Sequence, residues 1–184
     1  ALSTSAEANL LPHYSADSSE LYWLQYDGYS LPRVRAMPVG GDATSARDVV
    51  EIDAMGPFGL LPGRSPVYEQ GRQYRQVYSY ADLFRWDTRT GQTVRLTTGR
   101  RARDPAVSPD GRWIVYSQNE RSESVLAVMA AVPDAAATVL WRGKRYDQVH
   151  QPAWSPDGTR IAFSAWRNGG WRDILIVDVA TGNV

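Results

Sequence analysis

The sequence predicts an all-β fold, a β-propeller of four consecutive four-stranded blades, from a repeated turn phrase, its spacing, and the strands around it. Ser-Pro-Asp-Gly occurs at Ser108-Pro109-Asp110-Gly111 and again at Ser155-Pro156-Asp157-Gly158. Asp104-Pro105-Ala106-Val107 and Gln151-Pro152-Ala153-Trp154 precede the two copies. Arg112-Trp113-Ile114-Val115-Tyr116-Ser117 and Thr159-Arg160-Ile161-Ala162-Phe163-Ser164 follow them. The two glycines stand 47 positions apart. A period of that length, with strand patterns and no helix pattern inside it, is that of a propeller blade.

Two weaker copies extend the series toward the amino terminus. Leu61-Pro62-Gly63-Arg64, followed by Val67-Tyr68, aligns Gly63 with Gly111 and Val67-Tyr68 with Val115-Tyr116. Ser15-Ala16-Asp17-Ser18, followed by Glu20-Leu21-Tyr22-Trp23, puts a serine at the glycine position. The anchors 18, 63, 111 and 158 are near-equal steps that cover the chain, dividing it at about 5–52, 53–98, 99–143 and 144–184.

The second half of each unit repeats as well. Asp82-Leu83-Phe84-Arg85-Trp86-Asp87-Thr88-Arg89-Thr90-Gly91 matches Asp173-Ile174-Leu175-Ile176-Val177-Asp178-Val179-Ala180-Thr181-Gly182 in its Asp, Asp, Thr and Gly. Val125–Met129 with Pro133-Asp134, and Arg33–Met37 with Gly40-Gly41, fill the same place in the other units. Proline presets φ at the second turn residue, Asp suits the third, and glycine takes the φ > 0 position that follows. Strands are therefore expected near 20–26, 65–69, 82–87, 92–97, 112–117, 125–131, 137–141, 160–164 and 173–179. The run from Asp173 to Val179 is apolar on consecutive residues, which predicts a strand covered on both faces. Trp86, Trp113 and Trp154 fall within strands and are expected to pack between blades.

Composition removes several function classes. Twenty basic residues balance twenty acidic ones, so nothing electrostatic points to nucleic acid. Lys144 is the single lysine among the basic residues. There is no cysteine, hence no disulfide or thiol chemistry. No apolar run reaches the ~20 residues of a membrane helix. Leu2-Ser3-Thr4 resembles Leu96-Thr97-Thr98, the end of a fourth strand, and Asn183-Val184 falls where another fourth strand is due. This phase predicts part of a larger propeller, with self-association through its incomplete edges.

The pattern Asp-Pro-Ala-x-Ser-Pro-Asp-Gly-x-x-Ile-x-Tyr/Phe-Ser, then Asp-Leu-x-x-Asp-x-x-Thr-Gly, then Arg-Leu-Thr resembles the TolB-like propeller repeat, related to WD repeats. The resemblance covers nearly the whole chain, strongly over 82–182 and loosely over 12–68. Ser15-Ala16-Asp17-Ser18 departs from it in Pro and Gly, and Leu60-Leu61-Pro62-Gly63 in Ser and Asp. The resemblance implies non-catalytic binding of a protein or peptide in the bacterial periplasm or another extracytoplasmic compartment, as for the TolB propeller. Similar blades also form accessory propellers beside peptidase or amidohydrolase domains, which is the alternative reading.

Catalysis by the chain itself is not expected. It carries no Gly-x-Ser-x-Gly elbow, His-Glu-x-x-His helix or phosphate-cradling glycine loop. Asp110, Asp157, Asp87 and Asp178 recur with their blades, which marks carboxylates that bind turn N–H groups. His13 and His150 lie near innermost strands with no convergent ligands, so neither a metal nor a cofactor is expected. One constellation suggests binding. Second-to-third and fourth-to-first connections open on the face opposite the Ser-Pro-Asp-Gly turns. That face collects Arg100, Arg101, Arg103, Lys144, Arg145, Tyr146, His150, Trp166, Arg167 and Trp171, a basic rim with no comparable acidic cluster in the sequence around it. A partner presenting carboxylates suits such a rim.

Overall fold

The structure, a computed structural model, describes residues 7–74, 76–167 and 169–184. Residues 1–6, which include the expected strand tail at Leu2–Thr4, lie outside the described residues. Four antiparallel sheets follow one another along the chain. The first contains β1 (Ala8–Tyr14), β2 (Glu20–Tyr26), β3 (Arg33–Pro38) and β4 (Arg47–Glu51), with one 3-10 turn at Ala43–Ser45. The second contains β5 (Phe58–Leu60), β6 (Pro66–Tyr74), β7 (Tyr78–Asp87) and β8 (Gln92–Arg95). The third contains β9 (Ala102–Val107), β10 (Trp113–Glu120), β11 (Glu123–Ala130) and β12 (Ala137–Arg142). The fourth contains β13 (Gln148–Trp154), β14 (Arg160–Trp166) and β15 (Arg172–Asp178), three strands, in keeping with a fourth being due only from Asn183-Val184.

The expected strands are present with shifted ends. β6 and β7 run well past the expected 65–69 and 82–87, as one long hairpin paired from Val67↔Arg85 to Tyr74↔Tyr78. First strands touch in sequence, β1 to β5, β5 to β9 and β9 to β13. The sheets are thus blades fanned about a common axis, each with its first strand innermost.

Each turn phrase is held by one hydrogen-bond set. Ser108 Oγ donates to Asp110 Oδ1 at 2.6 Å and accepts the Trp113 N–H at 3.0 Å. Asp110 Oδ1 accepts the Arg112 N–H at 3.0 Å. Ser155 and Asp157 reproduce this with the Arg160 and Thr159 N–H groups, both at 3.0 Å. In the first blade Ser15 and Asp17 do the same with Glu20 and Ser19, and Ser18 adopts φ 56° where the later blades have glycines at 72° and 71°. Serine and aspartate are therefore the pair common to these three turns, and the left-handed position accepts a side chain in place of glycine.

The second blade corrects the alignment of Gly63 with Gly111. The left-handed residue is Arg64, at φ 63°, and its N–H bonds the Leu61 carbonyl as the Gly111 N–H bonds that of Ser108. The turn closes with the Leu61 N–H on the Ser65 carbonyl, one residue sooner than Ser108 on Trp113. A one-residue deletion after the turn thus restores the match of Val67-Tyr68 to Val115-Tyr116. The arginine side chain at this strained position reaches back to the first blade, 3.0 Å from Asp17 and 3.3 Å from Glu20.

Packing between blades follows one formula. Tyr22, Leu24, Val34 and Ala36 of the first blade meet Phe58, Tyr68 and Phe84 of the second. Val67 and Leu83 of the second meet Ile114, Tyr116, Ala127 and Met129 of the third. Val115 and Leu126 of the third meet Ile161, Phe163, Ala165 and Val177 of the fourth. β11 is covered on both faces as a result. The fourth blade differs: Ile174 and Ile176 stand open to solvent, so the expectation that Asp173–Val179 is covered on both faces fails for one face. Trp86 and Trp154 pack against these cores, whereas Trp113 is exposed on the turn face.

The turns also interlock. A Cβ built on Gly111 would lie 2.2 Å from Pro62 Cδ, whereas one on Gly158 would lie 3.8 Å from Pro109 Cδ. Both glycines are left-handed, so alanine at either costs about 1–2 kcal/mol in backbone strain. Gly111→Ala must also displace a proline ring, adding about 1–3 kcal/mol. Urea denaturation of the two variants should show Gly111→Ala clearly the less stable, and equal midpoints would contradict the contact.

The turn carboxylates set the acid limb of stability. Hydrogen bonds from Ser108 and Ser155, then from turn N–H groups, lower the pKa of Asp110 and Asp157 to about 2. A lowered carboxylate pKa stabilises the fold above its unfolded value and loses that contribution as pH falls through the folded one. Acid titration by circular dichroism should show stability falling below about pH 4. The Asp110→Asn and Asp157→Asn double variant should fall less steeply over that interval.

Candidate binding cleft at the channel mouth

Buried carboxylates shape the connections on the face opposite the turns. Asp82, fully buried on β7, accepts hydrogen bonds from Arg95 Nη2 at 2.6 Å, Thr97 Oγ1 at 2.9 Å, and the Gly99 and Arg100 N–H groups at 3.0 and 3.1 Å. The β8–β9 connection is thereby folded onto its own blade. Asp147 acts similarly on the β12–β13 connection, accepting the Lys144 N–H at 2.8 Å, while its carbonyl accepts the Ser124 N–H. These carboxylates hold the backbone from which the rim cations project.

The rim residues do not form a single patch. Arg100 turns inward and donates to the Tyr116 hydroxyl at 3.3 Å and the Ala135 carbonyl at 2.8 Å. Arg101, at φ 54°, lies 4.1 Å over the Tyr80 ring and donates to its hydroxyl at 2.8 Å. Tyr80 in turn stacks on Tyr78 of the long β6–β7 hairpin, with ring centroids 5.9 Å apart. Arg145 covers the exposed Tyr146 ring at 4.8 Å. Arg103 approaches Glu69 at 3.5 Å, and His150 Nδ1 lies 3.7 Å from Asp104. Arg172 covers Trp166 at 4.7 Å, Arg167 pairs with Asp173 at 3.3 Å, and Trp171 is 76% exposed.

Three depressions divide these side chains. A cleft of about 540 Å³ spans blades two to four and includes Arg101, Arg103 and Tyr146 with Tyr80, Glu69 and Arg121. A neighbouring hollow of about 830 Å³ gathers Arg100, Arg101, Arg121 and Arg145. Lys144 and Arg167 line a separate hollow of about 370 Å³ beside Trp141. Acids do interrupt the rim, contrary to the sequence expectation: Glu69, Glu120 and Glu123 line the 540 Å³ cleft. Both Glu120 and Glu123, however, are engaged by Arg142. Glu69 is nearly buried, and desolvation raises its pKa against the opposing pull of the Asp104 N–H and Arg103.

Among the described residues, Arg100, Arg101, Arg121 and Arg145 make no ion pair. Four guanidinium groups without carboxylate partners therefore border one hollow. Sequence reasoning missed Arg121 because Arg121-Ser122 carries only the signature of a tight β10–β11 turn. It missed Tyr80 because the hairpin length was underestimated, and Glu69 because its reach to the third blade's Asp104 N–H is a contact between blades that strand position does not announce. No group of three or more His, Asp or Glu among the described residues is placed to hold a metal. No helix there is long and apolar enough to cross a membrane.

Removing Asp82 should release this architecture. Asp82→Ala removes the acceptor of the buried Thr97 hydroxyl and of two connection N–H groups, and takes the Asp82 carboxylate from Arg95. Leaving a buried hydrogen-bonding group unsatisfied costs about 1–3 kcal/mol. Thermal denaturation should report a loss of that order, with faster hydrogen exchange at Gly99 and Arg100.

No protein-family model and no curated protein matches the sequence. Solved structures do. TolB from Acinetobacter baumannii superposes with a TM-score of 0.76 at 15% identity, covering 98% of this chain and 43% of that one. A putative TolB from Agrobacterium tumefaciens gives 0.75 at 16% identity, covering 97% and 80%. Puromycin hydrolase gives 0.69 at 17% identity, covering 99% of this chain and 29% of that one. The chain thus spans less than half of the first and most of the second. Likeness at this level of identity establishes the fold alone: the chain is a run of consecutive β-propeller blades, similar in fold to the TolB structures.

Proposed function

We propose that the chain is a non-catalytic protein- or peptide-binding propeller of a bacterial extracytoplasmic protein, and that its partner presents carboxylates to the arginine-lined mouth. The observation that carries this reading is the hollow bordered by Arg100, Arg101, Arg121 and Arg145, none of them ion-paired among the described residues. The two glutamates at its edge are already held by Arg142. Guanidinium forks bind carboxylates bidentately, and the flanking Tyr80 and Tyr146 rings hold Arg101 and Arg145 in place. Arg100 contributes charge while its donors serve the blade interior. Arg103, Lys144, His150, Trp166, Arg167 and Trp171 form a wider rim with different local partners.

A second reading has its own support. The likeness to puromycin hydrolase, of which this chain covers 29%, fits an accessory propeller that gates substrate beside a catalytic domain. In that case the same mouth would face the catalytic domain, and its arginines would select anionic substrates or meet acidic domain surface.

The test uses an acidic peptide, a glutamate-rich decamer, titrated into the protein at low and high salt. Wild type should bind it, with affinity falling as salt rises, because exposed charges are screened over roughly 8–10 Å near physiological ionic strength. Arg101→Ala with Arg121→Ala should weaken binding by more than about 1 kcal/mol and leave the circular dichroism spectrum unchanged. Equal affinity in wild type and double variant, or no binding at low salt, would overturn the reading.

A further inference from the structure

The face that carries the Ser–Asp turns, opposite the arginine-lined mouth, holds a cavity of about 470 Å³ between the third and fourth blades. Its place follows from how unevenly the turns interlock. The Pro62 ring presses on Gly111, 2.2 Å from where a Cβ would stand, whereas Pro109 keeps 3.8 Å from the same point on Gly158. Pro109 and Gly158 both border the cavity. Its floor is the open end of the core between these blades, where Leu140, Trp154 and Val179 are only partly buried.

One wall residue breaks the repeat. The residue that closes each turn, its carbonyl accepting the N–H of the first turn residue, is Glu20, Ser65, Trp113 and Arg160 in the four blades. The other three are polar, as suits an exposed turn, so the fold does not call for tryptophan at this position. Trp113 is nevertheless 44% exposed and lines the cavity. Trp154 lines it from the fourth blade, and its indole N–H is spent on the Ala106 carbonyl at 3.1 Å, so what it offers the cavity is hydrocarbon.

The polar groups at the rim come in both senses and balance in charge. Asp157 uses Oδ1 for Ser155 and Thr159, and its Oδ2 has no partner among the described residues. Arg112 gives its Nε to Asp110 at 2.6 Å and keeps its Nη donors. The exposed Thr138 hydroxyl donates or accepts. The two carboxylates are matched by Arg112 and by Arg160, whose charge adds to the hydrogen bonds of Ser155 and Thr159 in lowering the Asp157 pKa. A bare cation or anion gains little from such a balance. A neutral ligand with a hydrocarbon face and hydroxyls around its edge uses all of it, and a pyranose ring has that form.

We propose that this cavity is a binding site for a neutral saccharide, whose ring lays a C–H face against Trp113 while its hydroxyls meet Asp157, Arg112 and Thr138. The volume lies within the ~300–1,000 Å³ of small-molecule sites and suits a disaccharide. The site is on the face away from the mouth and stands apart from the acidic-partner reading.

Cellobiose, maltose and di-N-acetylchitobiose are titrated into the 184-residue chain over the millimolar range, with tryptophan fluorescence and the indole N–H resonances as readouts. At least one should bind and move the Trp113 resonance, which its loss in Trp113→Ser identifies. Serine closes the turn of the second blade, so Trp113→Ser should keep the wild-type circular dichroism spectrum and urea midpoint. The same variant should weaken the disaccharide at least ~10-fold. Thr138→Val should weaken it with both indoles in place. The Arg101→Ala, Arg121→Ala variant should bind it as wild type does, so a failure at the mouth leaves this site standing. No binding by any of the three sugars, or equal affinity in wild type and Trp113→Ser, would overturn the proposal. Tighter binding of tetramethylammonium or acetate than of every disaccharide would assign the cavity to an ion and overturn it equally.

Discussion

Everything in this structure depends on the packing of one blade's face against the next. Each interface sets an aromatic residue on the second strand of one blade, Tyr68, Tyr116 or Phe163, in the same core as an aliphatic residue on the third strand of the blade before it. A single twisted sheet has two faces to cover and cannot cover either alone. The third blade, with neighbours on both sides, shows the outcome, since β11 is buried along nearly its whole length. The fourth, with a neighbour on one side, keeps its isoleucines in solvent.

Polar groups fix the angle at which these faces meet. On one side the Ser–Asp turns hold their own backbone, and the proline of one turn fills the space left by the glycine of the next. On the other, Asp82 and Asp147 draw the interblade connections onto the sheets. The channel-side carboxylates of Glu69 and Asp104 complete the tie by capping the following blade's bulge. The same connections carry the arginines, so the charge of the mouth follows from how the blades are joined. Arg142 occupies Glu120 and Glu123, which leaves positive charge in excess beside the channel.

Much of the fold was legible because it repeats. Ser108, Asp110, Ser155 and Asp157 announce their turns by residue type, and the spacing of 47 carries the register. The second blade was misaligned by one residue because Gly63 looked like the repeated glycine, while Arg64 held that conformation and drew support from Asp17 and Glu20. The site was legible only in part. Arg100 and Arg101 are adjacent in sequence, yet one points into the blade interface and the other stacks on Tyr80. That split depends on the left-handed backbone at Arg101, which composition does not announce. Arg121 joins the group only because β10 and β11 extend far enough to carry their turn to the mouth.

The central claim is that stability resides in the interfaces between blades and falls off where an interface is missing. Native-state hydrogen exchange of strand amides measures this directly. The account predicts that β11 amides exchange only with global unfolding, while those of β15 exchange through cheaper local openings despite a similar apolar sequence. Equal protection of β11 and β15 at low protein concentration would contradict it.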